Sequence, residues 1–292
     1  MQTSILPRSF GTHDGAFHAD EVTACAFLLL YNLIDRDKIV RTRDLAILKN
    51  LQYVCDVGGI YDANILRFDH HQVEYKGGLS SAGMVLQYLA DQRILTEELY
   101  HYFNNSLVIG VDAVDNGQAT QKLGHCSFSS IITNFVPANH GVDDTVLFKA
   151  FEEALDFTFG HLQRLQERFM YIRSCKEKVK ESMQRGQEYL EFDEAIPWME
   201  NFFELEGESH PALFVVMPSG PHWKLRGIPP SYDQKMKVRK SLPKHWAGLL
   251  EQELGKVTKI PGAIFCHKGR FISIWKTKED ALKALYMVLK RP

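Results

Sequence analysis

Between Gly11 and Glu21 the chain reads GTHDGAFHADE, which sets two histidines and three acids into eleven positions. Further Asp and His residues close other apolar runs: Asp56 in QYVCDVGG, Asp69, His70 and His71 in ILRFDHH, and Asp115 in VIGVDAVDNG, where Asn116 and Gly117 signal a turn. An isolated aspartate after a strand is usually a turn former or helix cap. Four segments far apart in sequence that each deliver such residues to the end of an element are a different matter, since together they can line one rim. Crowding carboxylates costs about 4 kcal/mol per like-charged pair at ~4 Å and an effective dielectric near 20. A pair of divalent cations removes that penalty. Imidazole and carboxylate ligands without thiolate suit Mn2+ first, with Mg2+, Co2+, Fe2+ or Zn2+ as alternatives.

The elements that must carry these residues alternate through the first 120 positions. Strands are expected at about 8–12, 38–42, 53–57 and 65–69, and helices at about 21–34, 82–90 and 96–112. That alternation means an α/β fold with a mostly parallel sheet, in which ligands sit beyond the carboxyl ends of the strands. Asp20 is expected to cap the first helix. Residues 142–185 carry apolar positions at helical spacing and end in Gly186, which predicts long helices interrupted near Gly160. Beyond them YLEF, ALFVVMP, WKLRGIP and GAIFCHKGRFISIW read as short strands, followed by a helix at about 278–290. The expected organisation is a metal-binding domain over 1–141, a helical connector over 142–186 and a smaller α+β domain over 187–292.

Composition limits the alternatives. With 292 residues, 45% of them hydrophobic, the chain buries a sizeable core, most naturally as two domains. Its longest apolar run, AFLLLYNLI, falls far short of the roughly 20 residues a bilayer crossing needs, so no membrane partner is expected. The opening MQTSILPRSF has neither signal-peptide nor transit composition, and five scattered cysteines without C-x-x-C spacing argue against a disulfide framework or a zinc knuckle. A cytoplasmic location with reduced thiols is expected. There is no G-x-S-x-G elbow, no P-loop and no GxGxxG after a strand.

Taken in order, GTHDGAFHADE, VCDVGG, RFDHH, SSAGMV and VDAVDNG resemble the melanocyte-proliferating-gene family of metal-dependent exonucleases, itself similar to the DHH phosphoesterase superfamily of RecJ-type nucleases, oligoribonucleases and manganese pyrophosphatases. The likeness extends to IPGAIFCHKGRF and KTKEDAL near the end of the chain. The resemblance implies a DHH-type catalytic domain at residues 1–141. It implies that His13, His18 and Asp56 hold one metal while Asp20, Asp56, His70 and Asp115 hold a second, so that Asp56 bridges. Asp69 would orient a neighbouring histidine, and His71 would meet a substrate phosphate, which makes Asp56, Asp69, His70 and His71 the catalytic core. Most of the superfamily has H-x-x-x-D-x-D in the first motif. Here the spacing is one residue longer and His18 stands in place of the first aspartate, removing one negative charge. Asp112, three residues before Asp115, is the rival fourth ligand.

The implied activity is phosphodiester hydrolysis by two cations ~3.5–4 Å apart that activate a water, as a 3′-to-5′ exonuclease on RNA or single-stranded DNA. A hydrolase of pyrophosphate or dinucleotides is the alternative, and a non-catalytic protein whose metals stabilise the fold is a third reading. From His222 to His245 seven Lys or Arg stand against one Asp, with Trp223, Tyr232 and Trp246 in or beside the stretch. Aromatics interleaved with cations suit single strands, whose bases stack while their phosphates pair. Arg226, Arg239 and His267 are the candidate substrate-gripping residues, and a hinged cleft closing on a chain end would favour exonuclease action.

Overall fold

The computed structural model describes residues 4–120, 122–139 and 141–290. The chain divides into two compact units, 1–169 and 170–292.

The first unit is built on five strands: β1 (Leu6–Thr12), β2 (Ile39–Arg41), β3 (Leu51–Cys55), β4 (Tyr61–Asp62) and β5 (Arg67–Phe68). They lie in the order β2-β1-β3-β5-β4; β1, β2, β3 and β5 are parallel, and the edge strand β4 is antiparallel to β5. Helix α1 (Ala19–Leu30) has its first ten residues buried, as the almost all-apolar run VTACAFLL demands. It packs with α3 (Ser81–Asp91) over one sheet face around Phe10, Phe27 and Phe68. The other face receives the single turn α2 (Leu45–Leu48), whose Leu48, with Leu51, lies so close to Gly11 that a side chain at position 11 would collide with it.

Beyond α3 the chain forms α4 (Glu97–Phe103), a π-turn at Asn104–Val108, α5 (Ile109–Asp115) and α6 (Phe128–Thr133). The helix expected to stop near 112 therefore continues to Asp115, which closes a helix and not a strand. Next comes α7 (Asp144–Ser174), which runs unbroken through Gly160. The cost of a mid-helix glycine, about 1 kcal/mol, is outweighed by the stripe Ala154, Leu155, Thr158 and Leu162, all fully buried. The interruption lies at Cys175 instead, before α8 (Lys176–Gln184).

The second unit holds β6 (Tyr189–Glu191), α9 (Met199–Glu204), β7 (Phe214–Ser219), β8 (His222–Gly227), α10 (Glu251–Thr258), β9 (Ala263–Cys266), β10 (Ile272–Trp275) and α11 (Lys278–Leu289). Its sheet runs β6-β7-β8-β10-β9, antiparallel except for β6 on β7. One face packs Leu225, Trp246 and Trp275 with Leu254 of α10 and Leu285 of α11, and the other packs Val215 and Met217 with Val179 of α8 and Phe202 of α9. All five cysteines are free thiols, four of them buried and Cys126 exposed. Among the described residues no helix is long and apolar enough to cross a membrane.

Candidate metal centre

Parallel strands ~4.8 Å apart that end side by side deliver their next residues to one rim. The register makes this concrete. Gly11 pairs with Val54 and Val54 with Arg67, so two residues further along His13, Asp56 and Asp69 fall in one row across the ends of β1, β3 and β5. Asp56 sits there in the left-handed region at φ 56°, a conformation aspartate tolerates better than most side chains. The turn turns its carboxylate back over the rim, and Gly58 and Gly59 follow with positive φ as well.

His13 is nearly buried. Its Nδ1 lies 2.8 Å from the Asp14 carbonyl and donates to it, which leaves Nε2 3.1 Å from Glu21 Oε1 and 3.3 Å from Asp56 Oδ2. Burial opposes the imidazolium, but Asp56 and Glu21 overcome it and push the His13 pKa up to about 10. His70 Nε2 lies 3.0 Å from Asp115 Oδ2 and 3.5 Å from Asp56 Oδ1, and its Nδ1 lies 3.3 Å from the Asn116 side-chain oxygen. Asp115 and then Asp56 raise the His70 pKa to about 11. Asp56 itself is held down to about 2: burial works against its charge, and His13 and His70 prevail. Asp20 goes the other way, pushed well above the carboxylate range by complete burial and by the nearby charges of Asp56 and Asp115.

His70 Nε2 and Asp56 Oδ1 are both buried and, despite their short distances, neither has an aligned hydrogen-bond partner. Orphaned buried atoms of this kind are expensive. They converge on common points instead of on each other, which is the arrangement of ligands around a cation. Three overlapping groups offer ligand atoms mutually within 4.8 Å: His13, His18, Glu21 and Asp56; Asp56, His70 and His71; and Asp20, His70 and Asp115. Asp56 belongs to two of them. The donor set, nitrogen and oxygen without sulfur, fits divalent cations of the Mn2+ and Mg2+ type. A cavity of about 800 Å3 opens over His13, His18, Asp20, Asp56, His71 and Asp115, lined also by Arg43, Ser129 and Thr133.

The supporting contacts differ in part from the sequence-based expectation. Asp20 does not cap α1. It lies inside the first turn of that helix and reaches the start of α3, accepting from Ser80 Oγ and from the backbone N–H groups of Ser81 and Ala82. Position 18 is the cap of α1, and the His18 N–H donates to both Glu21 oxygens at 2.9 and 3.1 Å. Asp112, one helical turn before Asp115, also serves α3: its Oδ1 accepts from Ser80 N and Gly83 N and competes with Asp20 for the single proton of the Ser80 hydroxyl. Gly83 leaves no room for a Cβ beside that carboxylate. The SSAG sequence thus supplies exposed donors at a helix N-terminus to two buried acids. Asp112 faces α3 while Asp115 faces His70.

Asp69 Oδ1 lies 2.8 Å from His71 Nδ1 and its Oδ2 accepts from Gly59 N at 2.6 Å, while the His71 ring is largely exposed on the cavity side. Asn116, which holds the Gly78 and Asp112 carbonyls through Nδ2 and orients His70 through its oxygen, went unread in the sequence as anything but a turn. Glu21 also went unread.

Arg226, Arg239 and His267 belong to the second unit. Arg226 lies half-buried on β8 without an ion-pair partner among the described residues, and burial lowers its pKa. Arg239 is engaged within its own unit: its guanidinium donates to the carbonyls of Gly207, His210, Ala212 and Pro229 at 2.6–3.1 Å. His267 Nδ1 accepts from Gly269 N, and its ring lies against Phe271. Trp246 is fully buried, so it packs the core and offers no face to a base, whereas Tyr232 is 36% exposed.

A family model labelled MYG1_exonuc and described as Uncharacterised protein family (UPF0160) matches residues 9–289. The chain belongs to this family. The likeness carried by the five motifs is therefore a membership that spans nearly the whole length. Within the family, a MYG1 protein of Chlamydia trachomatis is 52% identical over 286 residues, covering 98% of both chains. The MYG1 exonuclease of Homo sapiens is 33% identical over 323 residues, covering 95% of this chain and 85% of its own. Among solved structures, exonuclease RecJ bound to manganese covers 97% of this chain and 91% of its own at 12% identity and a TM-score of 0.29, a likeness too distant to carry an argument.

Proposed function

We propose that the protein is a two-metal-dependent phosphodiester hydrolase, a 3′-to-5′ exonuclease acting on RNA or single-stranded DNA in the cytoplasm. The observation that carries this reading is the convergence of His13, His70, Asp56 and Asp115 around orphaned, buried ligand atoms at the open end of a parallel sheet. The naming of family members in Homo sapiens, Mus musculus and Rattus norvegicus as exonucleases supports it. In this reading His13, His18 and Asp56 hold one ion and Asp20, Asp56, His70 and Asp115 the other, with Mn2+ ahead of Mg2+, Co2+, Fe2+ or Zn2+. A pair of such ions supplies water activation and neutralisation of phosphate charge. The chain's own residues do the rest. Asp56 fixes the spacing of the two ligand sets, Asn116 and Asp69 hold the tautomers of His70 and His71, and the exposed His71 ring meets a non-bridging phosphate oxygen. Arg226 and His267 grip the polynucleotide.

The test is a product ladder. RNA and DNA 12-mers labelled at the 5′ end and, separately, at the 3′ end are incubated with metal-stripped protein plus MnCl2 or MgCl2, alongside inorganic pyrophosphate. A stepwise ladder from the 5′-labelled oligonucleotide and immediate release of the 3′ label is the expected result. Pyrophosphate hydrolysis without a ladder replaces the nuclease reading by the small-substrate one, and inactivity on all substrates with full Mn2+ binding leaves a structural metal.

A further inference from the structure

The first motif is one negative charge short, because His18 stands in place of an aspartate. Glu21, three residues on, lies fully buried in the first turn of α1. A glutamate there ordinarily closes a capping box, and both oxygens do lie within 3.1 Å of the His18 N–H. Capping does not account for its other contact. Glu21 Oε1 is 3.1 Å from His13 Nε2, the same nitrogen that lies 3.3 Å from Asp56 Oδ2. With Nδ1–H donating to the Asp14 carbonyl, a neutral His13 would point a lone pair at two carboxylates. A proton on Nε2 supplies the positive charge between the three groups in the stripped protein, and a divalent ion taking its place would meet the same nitrogen and both carboxylates. No Lys or Arg forms an ion pair with Glu21 among the described residues, so once His13 gives up its proton to become a ligand, this buried carboxylate needs the ion itself as its counter-charge.

We infer that Glu21 is itself a metal ligand. With His13, His18 and Asp56, whose ligand atoms lie within 4.8 Å of one another, it completes a site of two imidazoles and two carboxylates. Two consequences follow from the chemistry of that set. Asp20, Glu21, Asp56 and Asp115 together carry the four negative charges that balance two divalent ions, so Glu21 restores the charge that His18 removed. The two imidazoles make this half of the centre prefer a transition ion such as Mn2+ over Mg2+, whereas the half built from Asp20, Asp56, His70 and Asp115 is richer in oxygen. The inference rests on the proposed metal-binding reading.

The test uses Mn2+ alone on the metal-stripped full chain, read by calorimetric titration and by the Mn2+ electron paramagnetic resonance spectrum. Glu21→Gln keeps a side-chain oxygen for the His18 N–H and removes the charge. The expected result is a loss of one of two Mn2+ per chain, or a roughly 10–100-fold weaker affinity at one site, with the melting temperature of the stripped protein near wild type. His18→Asp in the same chain should recover most of that affinity. Unchanged Mn2+ stoichiometry and affinity in Glu21→Gln, with a lower melting temperature of the stripped protein, overturns the assignment in favour of a cap. Should Glu21→Gln fail to fold, Glu21→Asp keeps the charge and shortens the reach, and wild-type Mn2+ affinity there equally overturns it. Failure of the wild-type chain to bind Mn2+ at all would sink the metal reading itself, an outcome distinct from either.

Discussion

Replacing Asp56 by asparagine removes one charge and almost no volume, and asparagine is as tolerant as aspartate of the φ of 56° at this position. An alanine there would add backbone strain of about 1–2 kcal/mol and confuse the result. The carboxylate faces His13 at 3.3 Å and His70 at 3.5 Å. At 3.3 Å and an effective dielectric near 20, one such contact is worth about 5 kcal/mol in gross Coulomb energy. In the metal-free variant much of this loss is offset, because Asp56 also repels the buried Asp20 carboxylate. No such compensation exists once cations are present, since Asp56 is common to two ligand groups. Wild-type protein at a free Mn2+ concentration ~100 times the dissociation constant gains about 2.7 kcal/mol for each ion it holds. For a unit of 169 residues that corresponds to a melting shift of roughly 5–11 °C. Differential scanning fluorimetry of stripped protein with and without MnCl2 should show that shift in wild type and almost none in Asp56→Asn. An equal shift in both proteins means that Asp56 touches no metal, and the shared-ligand argument fails.

Metal binding should release protons. His13 and His70, raised from 6.5 to about 10 and about 11, stabilise the stripped protein fully below pH 6.5, and this contribution is lost as pH rises through 10 to 11. Asp56, lowered from 3.8 to about 2, contributes above pH 3.8 and loses its contribution as pH falls through 2. Both imidazoles must be neutral to ligate, so calorimetry at pH 7 in buffers of different ionisation enthalpy should report about two protons released per loaded chain, and Mn2+ affinity should rise with pH; release near zero contradicts the ligand roles of His13 and His70. Asp112→Ala strips two backbone N–H donors at the start of α3, those of Ser80 and Gly83, of their acceptor and should cost on the order of 3 kcal/mol in urea melts while Mn2+ affinity holds. Asp115→Asn should do the reverse, and identical behaviour of the two would erase the distinction between them. Arg239→Ala should lower the melting temperature of the second unit through lost carbonyl contacts, a loss of roughly 1.5–3 kcal/mol. Arg226→Ala should leave melting nearly unchanged yet weaken oligonucleotide binding and flatten its salt slope by about one. Wild-type salt dependence in Arg226→Ala removes that residue from the binding surface.

The strand ends were legible because two local signals coincide there. An apolar, β-branched run predicts a strand, and a polar residue directly after it must leave the sheet at its rim, as Cys55–Asp56 and Phe68–Asp69 do. Parallel pairing then places those rims together whatever the loops do. The helical stretches gave weaker boundaries. Gly160 reads as a breaker by propensity, but propensity is a cost of about 1 kcal/mol set against a buried stripe that continues on both sides of it. The basic stretch shows the same limit, since composition reports how many cations are present and not which of them the fold consumes. Arg239 lies in that stretch with its guanidinium closed over five carbonyls, and Trp246 lies beside it in the core.

What stayed hidden are the residues whose partners are distant in sequence and whose local reading is ordinary. Asp20 looks like a cap for the helix it begins, yet the donors it meets belong to α3, 60 residues away. Asn116 looks like a turn former and does end α5, but its side-chain oxygen fixes a histidine 46 residues earlier. Glu21 is a capping glutamate by its spacing from position 18, and only the approach of β1 to the first turn of α1 brings His13 Nε2 against it. In each case one side chain answers two demands, a helix end and the candidate metal centre, and the sequence displays only the nearer: a helix N-terminus for Asp20 and Glu21, a helix C-terminus for Asn116. For Asp20 and Glu21 the physical reason is the same: free N–H groups at a helix start and a divalent cation attract the same carboxyl oxygens. A chain that must gather many acids in a small volume therefore places them where helix starts already favour negative charge. The centre is assembled at the starts of α1 and α3 because those positions lower the cost of burying Asp20, Glu21 and Asp112 before any metal arrives.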